Sequence, residues 1–413
     1  MNDPPRRQRP YGRVRQALFV AMAVASGALV VATLAVEGLS YVNLDRLLQE
    51  AVRFCALLVL PASLVIVSLV VAALPRIVTI NLAIFACLLL VAEAGAWVLT
   101  PARPVIHGEP EAIGAPTFYV SDTALGYLMA PSTVARHRRT TSDTEIYDVT
   151  YRTDERGRRG TPANPGTGRT SFLLFFGDSN TFGEGLSQTE TLPYYAGELA
   201  TGSRPYNYGV SGYGPAQLLA LVRLGRLRRE VPEYDGYGIY FFIPDHVGRV
   251  IGSSRVSAGW GRHFPYYDMN ERGDLVARGD FVHGRPFTTL AYYFWTKSNL
   301  MDYLRIDLPL RHTMHDYSLT AKILAESGRL LARQFRLRGF IVVLGQAYNA
   351  TQRHVIRRVR DAFIHEGVAS LDYTELFDMD NPQYRLSEFD YHNSARANRA
   401  IAIRLVADLG IAR

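Results

Sequence analysis

The sequence is poor in two reactive residue types, lysine and cysteine. Lys297 and Lys322 are the only lysines among 413 residues, so arginine supplies almost all of the positive charge behind the net charge of +7. The two cysteines, Cys55 and Cys87, both lie in long apolar runs. The region after residue 101 therefore has no cysteine and cannot be stabilised by a disulfide. It must be stabilised by a hydrophobic core, for which about 310 residues are sufficient.

The hydrophobic residues, which make up 48% of the chain, are unevenly distributed. Residues 16–36 and 54–75 contain no charged side chain, and a third apolar run at 77–92 ends next to Glu93. A bilayer core requires roughly 20 apolar residues per helix. A cleavable signal peptide would be shorter and would stand alone. We therefore predict three transmembrane helices within residues 16–100.

Arginine predicts the orientation of these helices. The basic tail, residues 1–15, carries five arginines, and Arg76 follows the second apolar run. Because positively charged segments remain in the cytoplasm, we expect a cytoplasmic amino terminus. The chain is then a multi-pass protein of the cytoplasmic (inner) membrane, in contact with the lipid bilayer, and its carboxyl-terminal domain is extracytoplasmic or periplasmic. Nucleic acid is not expected as a partner there, and basic clusters such as 353–360 are interpreted as solvated helix faces.

The character of the sequence changes near residue 171. Residues 101–170 are rich in proline, glycine, threonine and arginine, which predicts an extracytoplasmic linker with short strands. From 171 to 413, short apolar runs alternate with segments of helical periodicity. This alternation predicts an α/β domain with a parallel sheet covered on both faces. In such sheets, functional groups gather beyond the carboxyl ends of the strands.

An aromatic insertion interrupts this alternation at residues 247–300. Trp260, Tyr266 and Tyr267 are among its many rings. One interpretation is a small hydrophobic core that stabilises a long loop. The other is a substrate-binding wall on which sugar rings could stack. Both interpretations remain open at the level of the sequence.

The segment `LLFFGDSNTFGEG` at residues 173–185 contains the first candidate for chemistry. Ser179 follows an apolar strand and precedes a tight, glycine-rich turn, with Asp178 and Asn180 as its neighbours. A serine at this position lies near a helix amino terminus, where free backbone N–H groups could stabilise a developing negative charge. Serine is also a common helix cap, so this motif alone does not identify a nucleophile.

A nucleophilic serine requires a base and a group that orients the base. The segment `SEFDYHNSARANRAIA` near the carboxyl terminus provides Asp390 and His392, two residues apart and just before a helical pattern. The carboxylate could hold the imidazole in the tautomer that accepts the serine proton. A third segment, `YNYGVSGYGPAQ`, contributes glycines that allow backbone N–H groups to approach a ligand closely.

Together these three segments resemble the SGNH, or GDSL-type, hydrolase superfamily. `GDSN` is similar to its first block, and Ser179 matches the nucleophile. `NYGVSG` is similar to the second block, whose oxyanion glycine aligns with Gly212. `DYHNSARAN` is similar to the last block and matches Asp390 and His392 to the acid and base. The resemblance covers roughly residues 115–410 and implies a flavodoxin-like α/β/α sandwich.

The sequence departs from the family pattern in the third block. The family has Asn-Asp after the third strand, whereas this chain has Pro244 and Asp245. Proline has neither a side-chain amide nor an N–H. The loss of an oxyanion donor typically costs about 2.7–4 kcal/mol of transition-state stabilisation. We expect His246 to replace the missing donor and to act with the backbone N–H groups of Ser179 and Gly212.

The resemblance implies a membrane-anchored serine esterase or O-acyltransferase. Such an enzyme would act on acyl, most simply acetyl, esters of an extracytoplasmic glycan through an acyl-Ser179 intermediate, and a membrane partner protein could supply acyl groups. No metal or cofactor is required. Two alternatives remain: a non-catalytic SGNH-fold protein that binds glycan or acts as a scaffold in a membrane assembly, and a lipase or thioesterase.

Overall fold

The computed structural model describes residues 76–99, 108–141, 144–162 and 168–412. The chain forms two compact units. The smaller unit includes the first described helix and residues 294–306, and the larger unit contains residues 104–293 and 307–413.

The described strands occur in four sheets, three of which are antiparallel and one of which is parallel. In chain order the strands are β1 (Glu111–Ile113), β2 (Tyr119–Asp122), β3 (Gly126–Met129), β4 (Val134–Thr140), β5 (Glu145–Arg152), β6 (Ser171–Phe176), β7 (Ser203–Asn207), β8 (Asp235–Phe242), β9 (Pro265–Met269), β10 (Leu275–Asp280), β11 (Arg336–Leu344) and β12 (Ser370–Asp372).

The α-helices among the described residues range from single turns to six turns in length. In chain order they are α1 (Arg76–Leu99), α2 (Ser179–Phe182), α3 (Leu192–Leu199), α4 (Pro215–Arg223), α5 (Leu227–Glu230), α6 (Asp245–Ile251), α7 (Ser254–Ala258), α8 (Phe281–Gly284), α9 (Pro286–Thr296), α10 (Asn299–Tyr303), α11 (Met314–Gln334), α12 (Ala350–Glu366) and α13 (Ala395–Asp408). Short 3₁₀ helices occur at Gln188–Glu190 and Pro382–Tyr384.

The parallel sheet is the centre of the larger unit. Its strand order is β12-β11-β8-β6-β7, and every neighbouring pair is parallel. Renumbered within the sheet, this is the order 2-1-3-4-5 of flavodoxin-like folds. The α/β part of the predicted fold class, with its parallel sheet, is therefore confirmed. Because the strand order reverses beside β6, the carboxyl end of this strand is the expected location of a functional site.

The sequence of β6 explains why this sheet is buried on both sides. All six of its residues are buried, and successive side chains point to opposite faces. Phe172, Leu174 and Phe176 pack into the core beneath α4, α11 and α12, while Leu173 and Phe175 pack into the core beneath α3 and α13. Full burial of a side chain of this size contributes about 1.5–3 kcal/mol, so β6 is a rigid support for the residues that follow it.

The antiparallel strands β1, β4 and β5 form a sheet in the same compact unit as the parallel sheet. Ala135 and Tyr151 of this sheet share a buried cluster with Phe182 of α2, and the rings of Tyr151 and Phe182 lie 4.9 Å apart in an edge-to-face arrangement. The segment predicted as a linker is thus, over its described residues, packed against the turn that carries Ser179.

The aromatic insertion, residues 247–300, forms most of α6, then α7, the β9–β10 hairpin, α8, α9 and the start of α10. Phe264 and Phe281 are almost completely buried in it, whereas Trp260 is 51% exposed. The buried rings of the insertion therefore belong to a core that it shares with other parts of the larger unit, whereas Trp260 and Phe287 lie at the surface.

The membrane part of the predicted fold class is wrong. Among the described helices, none is long and apolar enough to cross a membrane. The third apolar run, 77–92, lies in α1, where the carboxylate of Glu93 accepts hydrogen bonds from the N–H groups of Asn299 and Leu300 at 2.8 and 3.3 Å and from the Ser298 hydroxyl. The runs at 16–36 and 54–75 lie outside the described residues. The predicted multi-pass location in the cytoplasmic membrane is corrected by the same finding.

Candidate active site

Ser179 lies at the carboxyl end of β6, where the chain turns into α2. Gly177 has a φ of +148°, and a side chain there would collide with Thr181, so the turn requires glycine. Asp178 caps α2 by accepting a hydrogen bond from the Asn180 N–H at 3.0 Å. These constraints fix the backbone on both sides of Ser179, whose side chain is 5% exposed.

The structure brings Ser179 together with His392 and Asp390 from the opposite end of the domain. The Ser179 Oγ lies 2.7 Å from the His392 Nε2, and the His392 Nδ1 lies 2.5 Å from the Asp390 Oδ1. Asn180 connects the two loops, because its side-chain oxygen accepts a hydrogen bond from the Asn393 N–H at 3.3 Å. A hydroxyl, an imidazole and a carboxylate are thus in hydrogen-bonding sequence, which is the arrangement of a nucleophile, its base and an orienting acid.

An arginine from the antiparallel sheet holds the second oxygen of Asp390. Arg139 on β4 donates to the Asp390 Oδ2 at 3.3 Å and to the Glu184 carboxylate at 2.9 Å. Burial opposes ionisation of Asp390, but its hydrogen bond to His392 and the Arg139 charge keep the pKa of Asp390 below its usual value. Asp390 is therefore a carboxylate that remains charged beside the imidazole.

The same environment makes His392 an unusually strong base. Burial lowers its pKa, but the hydrogen bond to Asp390 and the nearby negative charge of Glu184 outweigh this effect and raise the pKa of His392 to about 9. The imidazole therefore holds a proton until the solution becomes mildly alkaline. Only the neutral form can accept the proton of Ser179.

A second cluster of aspartate, histidine and arginine lies behind Ser179. The Asp178 Oδ2 accepts a hydrogen bond from Arg249 at 2.9 Å, and the His246 Nε2 lies 3.4 Å from the same oxygen. The His246 Nδ1 is 3.2 Å from the Tyr240 hydroxyl, and the side chains of Asp178 and His246 are both fully buried. Burial lowers the pKa of His246, so this histidine is neutral.

The contacts of His246 contradict the expectation that it donates to an oxyanion. Its imidazole is enclosed within the protein and both ring nitrogens face buried groups, Asp178 on one side and Tyr240 on the other. It supports the turn that precedes Ser179. Pro244 is buried at the N-cap of α6, and Asp245 begins this helix with an exposed side chain.

Gly212 lies in the loop after β7 with a φ of +84°. A Cβ at this position would lie 2.5 Å from the Tyr127 hydroxyl and 2.8 Å from the Trp260 Nε1, so only glycine fits. The loop is held from both sides, since Tyr127 donates to the Ser211 carbonyl at 2.6 Å and Trp260 donates to the Gly212 carbonyl at 3.4 Å. The exposed Trp260 ring thus borders the glycine loop.

Tyr266 and Tyr267 have other surroundings. The Tyr266 ring packs against Phe281 with its centroid 5.2 Å away, and Tyr267 is buried with the guanidinium of Arg223 above its ring. Tyr267 packs in a cluster with residues of α4 and α11, and neither tyrosine contacts Ser179 or Gly212 among the described side-chain contacts. Of the three aromatic residues predicted to bind substrate, only Trp260 borders the glycine loop.

Arg159 is a further positioning residue that the motifs do not reveal. Its side chain is fully buried between the rings of Tyr151 and Phe182. It donates hydrogen bonds to the carbonyl groups of Phe182, Gly183 and Leu186, all in the loop after Ser179. Burial lowers the pKa of Arg159 to about 10, which leaves it charged at neutral pH.

Comparison with known proteins gives matches among solved structures only. No protein-family model matches the chain, and no curated protein matches it. A lipolytic protein of the G-D-S-L family from Desulfitobacterium hafniense DCB-2 is 13% identical, with a TM-score of 0.30 over 58% of this chain and 99% of its own. The acetyl xylan esterase Est2A from Butyrivibrio proteoclasticus is 11% identical, with a TM-score of 0.32 over 69% of this chain and 73% of its own.

The first of these proteins is named as a member of the G-D-S-L family, and the second is named as an acetyl xylan esterase. The fold is defined by the sheet order, and the site by the distances among Ser179, His392 and Asp390.

Proposed function

We propose that this protein is a serine esterase whose nucleophile is Ser179. The observation that carries the proposal is the pair of distances from the Ser179 Oγ to the His392 Nε2, 2.7 Å, and from the His392 Nδ1 to the Asp390 Oδ1, 2.5 Å. A serine that only caps a helix needs no base. A protein that only binds a glycan has no use for a base held by a buried carboxylate.

In the reaction, the Ser179 oxygen attacks the acyl carbonyl carbon while its proton moves to the His392 Nε2. The tetrahedral intermediate then collapses, the bond to the alcohol breaks, and the alcohol leaves with the proton from His392. A second nucleophile repeats these steps on the acyl-serine. If it is water the result is hydrolysis, and if it is a hydroxyl group of another molecule the result is acyl transfer. Asp390 stabilises the imidazolium in each step.

We assign oxyanion stabilisation to the backbone N–H groups of Ser179 and Gly212. Within the described part of the chain, neither N–H donates a hydrogen bond to another protein group, so both are available to a ligand. Pro244 contributes no N–H and His246 faces inward. We therefore expect two donors, and a slower acylation step than three would allow, because each donor typically contributes about 2.7–4 kcal/mol.

The proposed substrates are acyl esters, most simply acetyl esters, of a glycan. The exposed Trp260 ring beside the glycine loop supports this choice, since an aromatic face of this kind suits a sugar ring. A lipase or thioesterase would instead require an extended apolar groove for the acyl chain. The groups around Ser179 are a carboxylate, an arginine and a backbone loop, which suit a polar substrate better.

Replacement of Ser179 by alanine tests the proposal. The protein is expected to hydrolyse 4-nitrophenyl acetate and to react covalently at Ser179 with a fluorophosphonate probe, and both activities should be abolished in Ser179→Ala. Ser121→Ala, which removes an exposed hydroxyl from β2, is the matched control and should retain both. If Ser179→Ala turns over the ester at the wild-type rate, or if the probe labels another residue, the covalent mechanism is refuted.

A further inference from the structure

A polar cavity lies close to the candidate active site, at the same edge of the parallel sheet. Its volume is about 270 Å³. It is lined by residues that follow the carboxyl ends of β11 and β12, among them Gln346, Tyr348 and Thr374. Pockets for drug-sized ligands begin at roughly 300 Å³, so this cavity suits a smaller group, such as a single sugar ring.

The cavity wall offers both hydrogen-bond donors and acceptors. Donors come from the amide of Gln346 and the guanidinium of Arg353, and acceptors come from the carboxylates of Glu375, Asp378 and Asp380. Three carboxylates against one guanidinium make an anionic ligand unfavourable. A neutral molecule with several hydroxyl groups can satisfy both kinds of partner, because a hydroxyl both donates and accepts.

Gln346 provides an independent sign that the cavity receives a ligand. Its side chain is 3% exposed, yet its Nε2 atom has no hydrogen-bond partner among the residues that the structure describes. A buried amide nitrogen without a partner is costly, and such groups in folded proteins usually have a partner that is not part of the chain. Because Gln346 lines the cavity, an acceptor atom within the cavity could provide that partner after a small rotation of the amide.

The cavity is connected to the catalytic residues through a pair of tyrosines. The Tyr348 hydroxyl donates to the carbonyl of Tyr391 at 3.0 Å, and the centroids of the two rings lie 5.2 Å apart. Tyr391 directly precedes His392, so the cavity wall contacts the residue next to the base.

From these observations we infer that the cavity is a subsite for a neutral, hydroxyl-bearing sugar ring of the ester substrate. The inference rests on the proposed esterase function and adds to it a location for the alcohol part of the substrate. It also assigns a specificity role to Gln346 and Asp378, which do not contact the reacting atoms.

The test compares a sugar ester with an ester that has no sugar. 6-O-Acetylglucose, which keeps its ring hydroxyl groups, and 4-nitrophenyl acetate serve as probes for the wild type, Gln346→Met and Asp378→Asn. Each variant is expected to raise the KM for the sugar ester about three- to tenfold, the effect of one lost hydrogen bond. The kcat for the sugar ester, and both constants for 4-nitrophenyl acetate, should remain unchanged. Asp361→Asn, an exposed carboxylate on α12, is the matched control and should change neither substrate.

The possible outcomes separate the two proposals. If the Ser179-dependent hydrolysis of 4-nitrophenyl acetate is intact but the KM for the sugar ester does not respond to either variant, the subsite is refuted and the esterase function remains. An equal change for both substrates shows that the variants disturb the catalytic residues, and this also refutes the subsite. Asp378 lines the cavity and is exposed, so Asp378→Asn should fold and remains informative if Gln346→Met does not fold.

Discussion

Two clusters of the same residue types lie on opposite sides of Ser179. The front cluster contains Asp390, His392 and Arg139, and the rear cluster contains Asp178, His246 and Arg249. In each cluster the arginine donates to the aspartate, at 3.3 Å in front and 2.9 Å behind. The distance from the histidine to the aspartate differs, at 2.5 Å in front and 3.4 Å behind.

The difference in environment gives the two histidines opposite acid–base properties. His392 is partly exposed and close to the negative charges of Asp390 and Glu184, and its pKa is raised to about 9. His246 is fully enclosed, and burial lowers its pKa. An aspartate beside a histidine is therefore not sufficient to identify a catalytic base. Access to the nucleophile and the balance between burial and charge determine which histidine can exchange a proton.

The largest predicted effect is a difference in kcat between His392→Gln and His246→Gln. Loss of the base should lower the kcat for 4-nitrophenyl acetate by about 10²–10⁴-fold, the usual contribution of general-base catalysis. The same replacement at His246 should reduce kcat by less than about tenfold and mainly lower the melting temperature, because a buried partner of Asp178 is lost. Steady-state kinetics and thermal unfolding of both variants give the comparison. Equal losses of kcat would show that the rear cluster also takes part in the chemistry.

The second prediction concerns the stability of the rear cluster. Arg249→Met leaves the buried carboxylate of Asp178 without its cation, which should destabilise the protein by about 3–5 kcal/mol. Urea unfolding measures this loss, and Arg229→Met, an exposed arginine on α5, should change stability by less than about 0.5 kcal/mol.

At acid pH, the difference in stability between the wild type and Arg249→Met should become smaller. Burial raises the pKa of Asp178, but the Arg249 charge and the neighbouring His246 imidazole lower it by a larger amount. The pKa of Asp178 therefore lies well below its usual value of 3.8. A lowered pKa stabilises the folded state above the unfolded value, and this contribution is lost as the pH falls. A stability difference that does not depend on pH below about pH 4 would mean that the Asp178–Arg249 pair is not its source.

The smallest predicted effect is on the pH dependence of the front cluster. In the wild type, kcat/KM should increase as the pH rises through about 9, because His392 must lose its proton before it can act as a base. Glu184→Gln removes a negative charge that favours the imidazolium, so the rise should move to lower pH by about 1 unit. Glu388→Gln, an exposed carboxylate close in sequence to Asp390, should leave the profile unchanged. A profile that moves in the opposite direction would contradict the assignment of His392 as the base.

The same raised pKa has a consequence for folding. A histidine whose pKa is raised in the folded state stabilises that state fully below its usual value of 6.5, and this contribution is lost as the pH rises towards about 9. The enzyme should therefore gain activity over the same pH range in which His392 ceases to contribute to its stability.

The local motifs were sufficient to predict the α/β fold and to name Ser179, His392 and Asp390, whose side chains the structure brings together. Ser179 is recognisable because it follows an apolar strand pattern. His392 is recognisable because it lies two residues after Asp390 and just before a helical pattern. Arg139 is not recognisable in this way, because its contact with Asp390 joins residues 251 positions apart. Nothing in the sequence near Arg139 indicates which carboxylate it would reach.

Two other predictions failed for physical reasons. The departure from the family pattern at Pro244 favoured a donor role for His246, but the fold directs its imidazole into the core towards Asp178. Apolar runs favoured membrane helices, but the described helices include none that could cross a membrane. The residues predicted as a linker are rich in turn-forming types, and their described part nevertheless packs into the buried cluster around Tyr151 and Phe182.

The hydrogen bonds of Arg159 imply that the folded domain begins earlier in the sequence than the catalytic motifs. The motifs begin after β6, whereas Arg159 precedes this strand. A gene fragment that began at β6 would encode every residue of the hydroxyl–imidazole–carboxylate relay. It would omit the guanidinium around which three carbonyl groups after the nucleophile are arranged. During synthesis, Arg159 therefore leaves the ribosome before the loop to which it donates these hydrogen bonds. A domain shortened to begin at β6 would need another group to bind the three carbonyl groups.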